Sequence, residues 1–171
     1  MPTTSLKRWI VTALFAAMIC LTTAYLFHIP VGTAGGYIHL GDAFIYLAAA
    51  FLPTPYAMAA AGIGAGLADI LSGVPHWAVF TVVIKAAMAL CLTAKTPRIV
   101  CVRNVLGSVL AGVVCIVGYY VAEVILFGNW ISPLLSTLTG GVAQAVGGTV
   151  VFVLCGLFLD KADVRGRLNR M

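Results

Sequence analysis

The chain has 171 residues, of which 62% are hydrophobic and 9% charged, with a formal net charge of +5 and a mean hydropathy of +1.09. An ordinary soluble domain carries about 25% charged residues, and a soluble fold of this length has too much surface for its volume to hide so much apolar material. The solvent is therefore lipid, and the predicted fold is all-α: one membrane-embedded helical domain over residues 1–171. A crossing takes roughly 20 residues, which leaves no length for a soluble domain.

In chain order, span one is predicted from Leu6 to Phe27 and stops at His28-Ile29-Pro30. No small-residue cleavage site follows it, so it reads as a span and not a removed signal. A glycine-rich loop, Gly32 to Gly41, leads to span two, predicted from Asp42 to Leu52 before Pro53. That segment is short, so it begins as early as Tyr37 or stays a partial crossing. Span three runs from Tyr56 to Leu71, span four from Trp77 to Ala94, and span five from Asn104 to Phe127. Span six starts between Ile131 and Leu135 and reaches Leu159.

Six spans put Lys7 and Arg8, then Lys95, Arg98 and Arg103, then Lys161, Arg165, Arg167 and Arg170 on one side. The opposite loops hold His28, His39 and His76 and no lysine or arginine. By the positive-inside rule both termini are cytoplasmic. The basic balance then reflects topology and anionic lipid headgroups, with no need for nucleic acid. The five cysteines (Cys20, Cys91, Cys101, Cys115, Cys155) show no CxxC spacing, so neither a disulfide nor a metal site is expected.

Charges inside spans are costly, about 2.5–3.5 kcal/mol each on insertion scales, and face a cavity or a partner. Lys85 lies eight residues into span four from its outer end, about 12 Å at helical rise. Asp42, Asp69 and Glu123 lie near the outer ends of spans two, three and five, and Gln144 in the outer half of span six. The polar set is confined to the outer half. A through-pore needs polar lining along its whole length; a pocket open to the outside does not.

Helical spacing groups Trp77, Thr81 and Lys85 on one face, and Tyr119, Tyr120 and Glu123 on another. Gly62, Gly66, Asp69 and Gly73 form a small and polar stripe in span three, as do Thr137, Gly140, Gly141, Gln144, Gly147 and Gly148 in span six. Each has a plainer reading. Lys85 pairs with Asp69 or Glu123 purely for structure; Asp42 caps span two; the glycines pack helices; Trp77 and Trp130 anchor the outer interface, as Trp9 does the inner. Gly62-Ile-Gly-Ala-Gly66 follows no strand, so it is not a nucleotide loop, and no phosphate-binding lysine motif or hydrolase motif is present.

The stretch from Gly36-Tyr-Ile-His-Leu-Gly-Asp42 to Tyr46-Leu-Ala48, with Gly62-Ile-Gly-Ala-Gly-Leu-Ala-Asp-Ile-Leu-Ser-Gly73 and Val82-Val-Ile-Lys-Ala86, resembles the substrate-binding S components of energy-coupling factor (ECF) transporters. The resemblance spans the chain and is sharpest from Gly36 to Met88, in the branch of riboflavin, hydroxymethylpyrimidine and pyridoxine carriers. It implies a six-helix bundle of the bacterial plasma membrane that captures a vitamin from outside and releases it inward by toppling. The implied partners are a transmembrane coupling subunit and two cytoplasmic ATPases. Ala13-x-x-x-Ala17 is similar to the small-residue motif that docks on the coupling subunit. Family members often carry an Asn three residues before the span-six Gln; here that residue is Gly141, while Gln144 remains. The candidate substrate contacts are Lys85, Glu123, Gln144, Asp69, Tyr120, Trp77, His39 and Asp42, suited to a small polar heteroaromatic. No cofactor or metal is expected, and no catalytic residue. The competing readings are a self-sufficient channel or ion-coupled carrier, and an intramembrane enzyme using Asp69 and Glu123 as acid and base.

Overall fold

Hydrocarbon offers no partner for a backbone amide, so lipid-exposed chain must satisfy its hydrogen bonds within helices. A computed structural model describes residues 5–26, 29–31 and 36–166, and among them the regular structure is helical apart from one small hairpin. The order is α1 (Ser5–Ala24), β1 (Ile29–Val31), β2 (Gly36–Ile38), α2 (Gly41–Phe51), α3 (Thr54–Leu71), α4 (Ala78–Leu90), α5 (Val102–Phe127) and α6 (Ser132–Lys161). His28, residues 32–35 of the Gly32–Gly41 loop, Arg167 and Arg170 lie outside the described residues, as does the side chain of Thr137.

Among the described residues, three helices are long and apolar enough to cross a membrane: α1, α5 and the Gly140–Lys161 part of α6. Their outward faces carry large exposed apolar side chains, among them Leu14, Leu21, Val109, Val117, Val146 and Leu154. Lipid in place of water makes that exposure favourable. α2 and α4 are shorter apolar helices.

α2 is the centre of the bundle and touches α1, α3, α4 and α6. Ten of its 11 residues are buried, as expected of a helix apolar on all sides. It does not begin at Tyr37: that residue belongs to β2, antiparallel to β1 with Tyr37 opposite Pro30. At 11 residues it covers about 16 Å, roughly half a bilayer core, and Pro53 and Pro55 turn the chain directly into α3. Two further limits are shorter than predicted. α1 stops at Ala24, ahead of Phe27, and α4 stops at Leu90, not Ala94. The α4 ending has a visible cause in the buried Asn104 amide. Its Oδ1 accepts the Thr93 N–H at 3.0 Å, and its Nδ2 donates to the Thr93 and Ile99 carbonyls at 3.1 and 3.0 Å. This side chain takes over the backbone groups that a longer helix would have used. α5 ends where Gly128 turns left-handed at φ 66°, a conformation glycine adopts without steric cost.

The small-residue stripes do the packing. Gly62 and Gly66 of α3 lie against Val82 of α4, where added Cβ atoms would come within 3.2 and 2.6 Å of Val82 atoms. Gly64 lies against the Ala16 backbone of α1, and Gly112 of α5 against Ala145 of α6. Close approach of backbones is the main source of helix association in lipid, where no hydrophobic drive remains between helices.

Candidate functional site

Four residues from separate parts of the chain converge at the start of α2. Asp42 sits in the first turn of α2, where its carboxylate is favoured by the helix dipole. It does not cap the helix: Leu40 is the N-cap and makes no side-chain cap bond. The first amide, Gly41 N–H, is instead accepted by His39 Nδ1 at 3.0 Å. The Asp42 carboxylate turns inward. Its Oδ1 accepts from Lys85 Nζ at 2.6 Å, and its Oδ2 from Gln144 Nε2 at 2.7 Å. Lys85 and Asp42 are 0% and 1% exposed, so water does not screen the pair.

The sequence spacing offered Asp69 or Glu123 as the partner of Lys85; the structure pairs it with Asp42. Other groups complete its surroundings. Cys115 Sγ accepts from Lys85 Nζ at 3.4 Å, and the Tyr119 ring centroid lies 5.3 Å from the ammonium. The Tyr119 hydroxyl is 3.0 Å from Thr81 Oγ1. Trp77 stacks obliquely on Tyr119 with centroids 5.9 Å apart and on Phe127 at 6.2 Å. Trp77 is therefore part of the interior wall, whereas Trp130 and Trp9 are exposed.

On the α2–α6 side, Gln144 Nε2 approaches His39 Nε2 to 3.4 Å. An added Cβ at Gly148 would lie 3.3 Å from the Asp42 Cβ, so glycine there lets α6 pass close to the ion pair. Gly41 is similarly constrained, since a Cβ would collide with Thr23 Oγ1 and His39 Nδ1. Beneath the cluster the core is apolar: Tyr46, Leu52, Met88, Ala111 and Phe152 are buried, and the Tyr46 and Phe152 rings meet edge-on at 5.9 Å.

Of the eight expected contact residues, His39, Asp42, Lys85 and Gln144 meet directly, and Trp77 joins them through Tyr119. Asp69 is buried near the C-terminal end of α3, outside the ion pair. Glu123 lies half-buried one helical turn beyond Tyr119, and the Tyr120 hydroxyl donates to the Trp130 carbonyl at 3.1 Å. Cys115 and Tyr46 were not among the expected contacts. Cys115 is one turn before Tyr119, so the 3.6-residue period places both on one face of α5; no polar signal marks it because a thiol reads as apolar. Ala13 and Ala17 are both exposed on α1, away from the α1–α3 packing face.

The bundle is thus apolar with a desolvated ion pair, an amide and aromatic walls gathered near one end. The chain belongs to the ECF-type riboflavin transporter S component family, whose model matches residues 3–161. It is also 32% identical over 145 residues to an uncharacterized protein of Pyrococcus woesei, described as lying in the gap 3′ region; the match covers 81% of this chain and 93% of that one.

Proposed function

We propose that the chain is the substrate-capture subunit of an ECF importer for a small vitamin or vitamin precursor, with a pyridoxine- or hydroxymethylpyrimidine-like heteroaromatic favoured. The observation that carries this reading is the Asp42–Lys85–Gln144 cluster, assembled from α2, α4 and α6 in a dry bundle. A charge cluster held off the lipid at such desolvation cost is functional by default. Gly41 N–H occupies His39 Nδ1, so a neutral ring carries its proton on Nε2. That proton and the Gln144 amide lie side by side, and one ring nitrogen or hydroxyl of a solute would bridge both. Tyr119 and Trp77 supply a stacking wall, and the buried Tyr46 hydroxyl, which has no hydrogen-bond partner among the described residues, is a further polar contact. Glu123 stands at the rim.

The apolar core beneath the cluster argues for a cup closed on the inner side. In this reading the bundle crosses the membrane six times with both termini cytoplasmic, as a multi-pass protein of the cell membrane. The chain captures the solute outside and topples to release it, driven by two ATPases through the coupling subunit. The test is binding to the purified chain, read by intrinsic tryptophan fluorescence across a panel of B-type vitamins and their precursors. A saturable response is expected from one heteroaromatic. Glu123→Ala should weaken it by the roughly 1.5–3 kcal/mol of a charge-assisted bond. Silence across the panel, or flux in proteoliposomes containing this chain alone, would overturn the reading, the latter in favour of a self-sufficient carrier.

The exposed Ala13 and Ala17 are the proposed docking face for the coupling subunit, because small side chains allow close helix approach in lipid. Ala13→Trp is expected to leave the melting temperature and solute binding unchanged and to prevent copurification with the coupling subunit. Normal copurification would remove this face from the interface.

A further inference from the structure

At the end of the bundle opposite the ion pair, a groove of about 550 Å³ opens between the α4–α5 connection and the end of α6. Lys95, Thr96, Arg98, Leu159, Asp160 and Arg165 line it. The groove is firmly built. Both oxygens of Asp160 accept backbone amides of the facing loop, Ile99 N–H at 2.8 Å and Val100 N–H at 3.0 Å. Arg165 Nη1 donates to the Thr96 carbonyl, and the Lys95 amide to Thr93 Oγ1 at 3.2 Å. Asn104 secures the same loop from below.

The charge in this groove is unbalanced. Asp160 is committed to backbone amides, and the three cations outnumber the two carboxylates, Asp160 and Asp163. The Lys95 ammonium and Arg98 guanidinium make no side-chain hydrogen bond or ion pair among the described residues, and Arg165 spends one of its donors on Thr96. Burial lowers the pKa of Arg165 from its ordinary value while the nearby Asp160 carboxylate opposes that shift; a guanidinium stays protonated under either influence. An apolar ridge on α6 leads to the groove: Leu154 and Leu157, exposed by 63% and 52%, precede Asp160 by two and one steps of three residues, the spacing that keeps side chains on neighbouring positions of one helix surface.

We infer that this groove is a binding site for the phosphate of an anionic phospholipid, with Lys95, Arg98 and Arg165 on the headgroup and the acyl chains along Leu157 and Leu154. A phosphodiester suits a fork of guanidinium donors, and the adjoining apolar stripe separates a lipid from a free phosphate ion. The inference needs only the membrane setting, not the identity of the solute.

The full chain is reconstituted in nanodiscs of equal phosphatidylcholine and phosphatidylglycerol, released, and weighed by native mass spectrometry. One phosphatidylglycerol should be retained preferentially. Lys95→Ala with Arg98→Ala should reduce that preference by about fivefold for each cation removed, and Lys95→Arg with Arg98→Lys should keep it. Both side chains are exposed and, among the described residues, unpartnered, so folding is not at stake, and circular dichroism checks it. Three results would overturn the site: an unchanged preference in the double alanine variant, an equal loss on removing Lys7 and Arg8 at the N-terminus, or displacement of the lipid by millimolar inorganic phosphate, which would make the groove a free-anion site.

Discussion

Asp42→Ala is expected to destabilise the protein by about 3–5 kcal/mol and to abolish solute binding, because it leaves the Lys85 ammonium buried without its counter-charge. Lys85 is 0% exposed, so water cannot replace the carboxylate, and the remaining neighbours, the Cys115 thiol and the face of Tyr119, are weak substitutes. The Gln144 amide loses its acceptor at the same time. Removing both charges is a different experiment. Asp42→Ala with Lys85→Met should recover most of the stability, since replacing a buried pair with apolar groups is often neutral or stabilising, yet binding should remain lost. Melting followed by thiol-reactive dye at the buried Cys20 and Cys115 separates the two effects. A single variant as stable as the parent would mean that the ion pair is not desolvated. A double variant that still binds would show that the pair is structural alone.

The second large effect is expected at Gly64. A Cβ there would lie 2.6 Å from the Ala16 carbonyl oxygen and 3.1 Å from the Ala16 Cα. Both are backbone atoms of α1, so no rotamer change relieves the contact, and the helices must separate. Overpacking of this kind costs about 1–3 kcal/mol for small additions, and Gly64→Leu should exceed the cost of Gly64→Ala. Gly147 on α6 is the control, because nothing lies within 4 Å of a Cβ built there. Gly147→Ala should be neutral or stabilising by up to about 1 kcal/mol through helix propensity. Equal melting temperatures for Gly64→Ala and Gly147→Ala would contradict the close α1–α3 packing.

Much of this molecule is legible along the chain. Apolar excess selects helices in lipid, because no other backbone arrangement made of short local segments satisfies its amides there. Gly128 stops α5 as a local conformational matter. Lys85, Asp42 and Gln144 stand out because a charge or amide inside an apolar run has no local explanation. The residues that escaped notice are those whose side chains look apolar, Cys115 and Tyr46, and the misplaced limits are those decided by distant partners. The end of α4 depends on Asn104, eleven residues past Thr93, and the centrality of α2 depends on four neighbouring helices.

Sequence alone therefore determined the solvent, the number of helical segments and the few polar residues that needed company, since transfer free energy acts residue by residue. Tertiary structure decided the company. Lys85 faces Asp42 rather than Asp69 or Glu123, and His39 rather than Asp42 receives the first amide of α2, because an ion pair or hydrogen bond requires atoms within about 3 Å and only the packed bundle sets such distances between residues far apart in the chain.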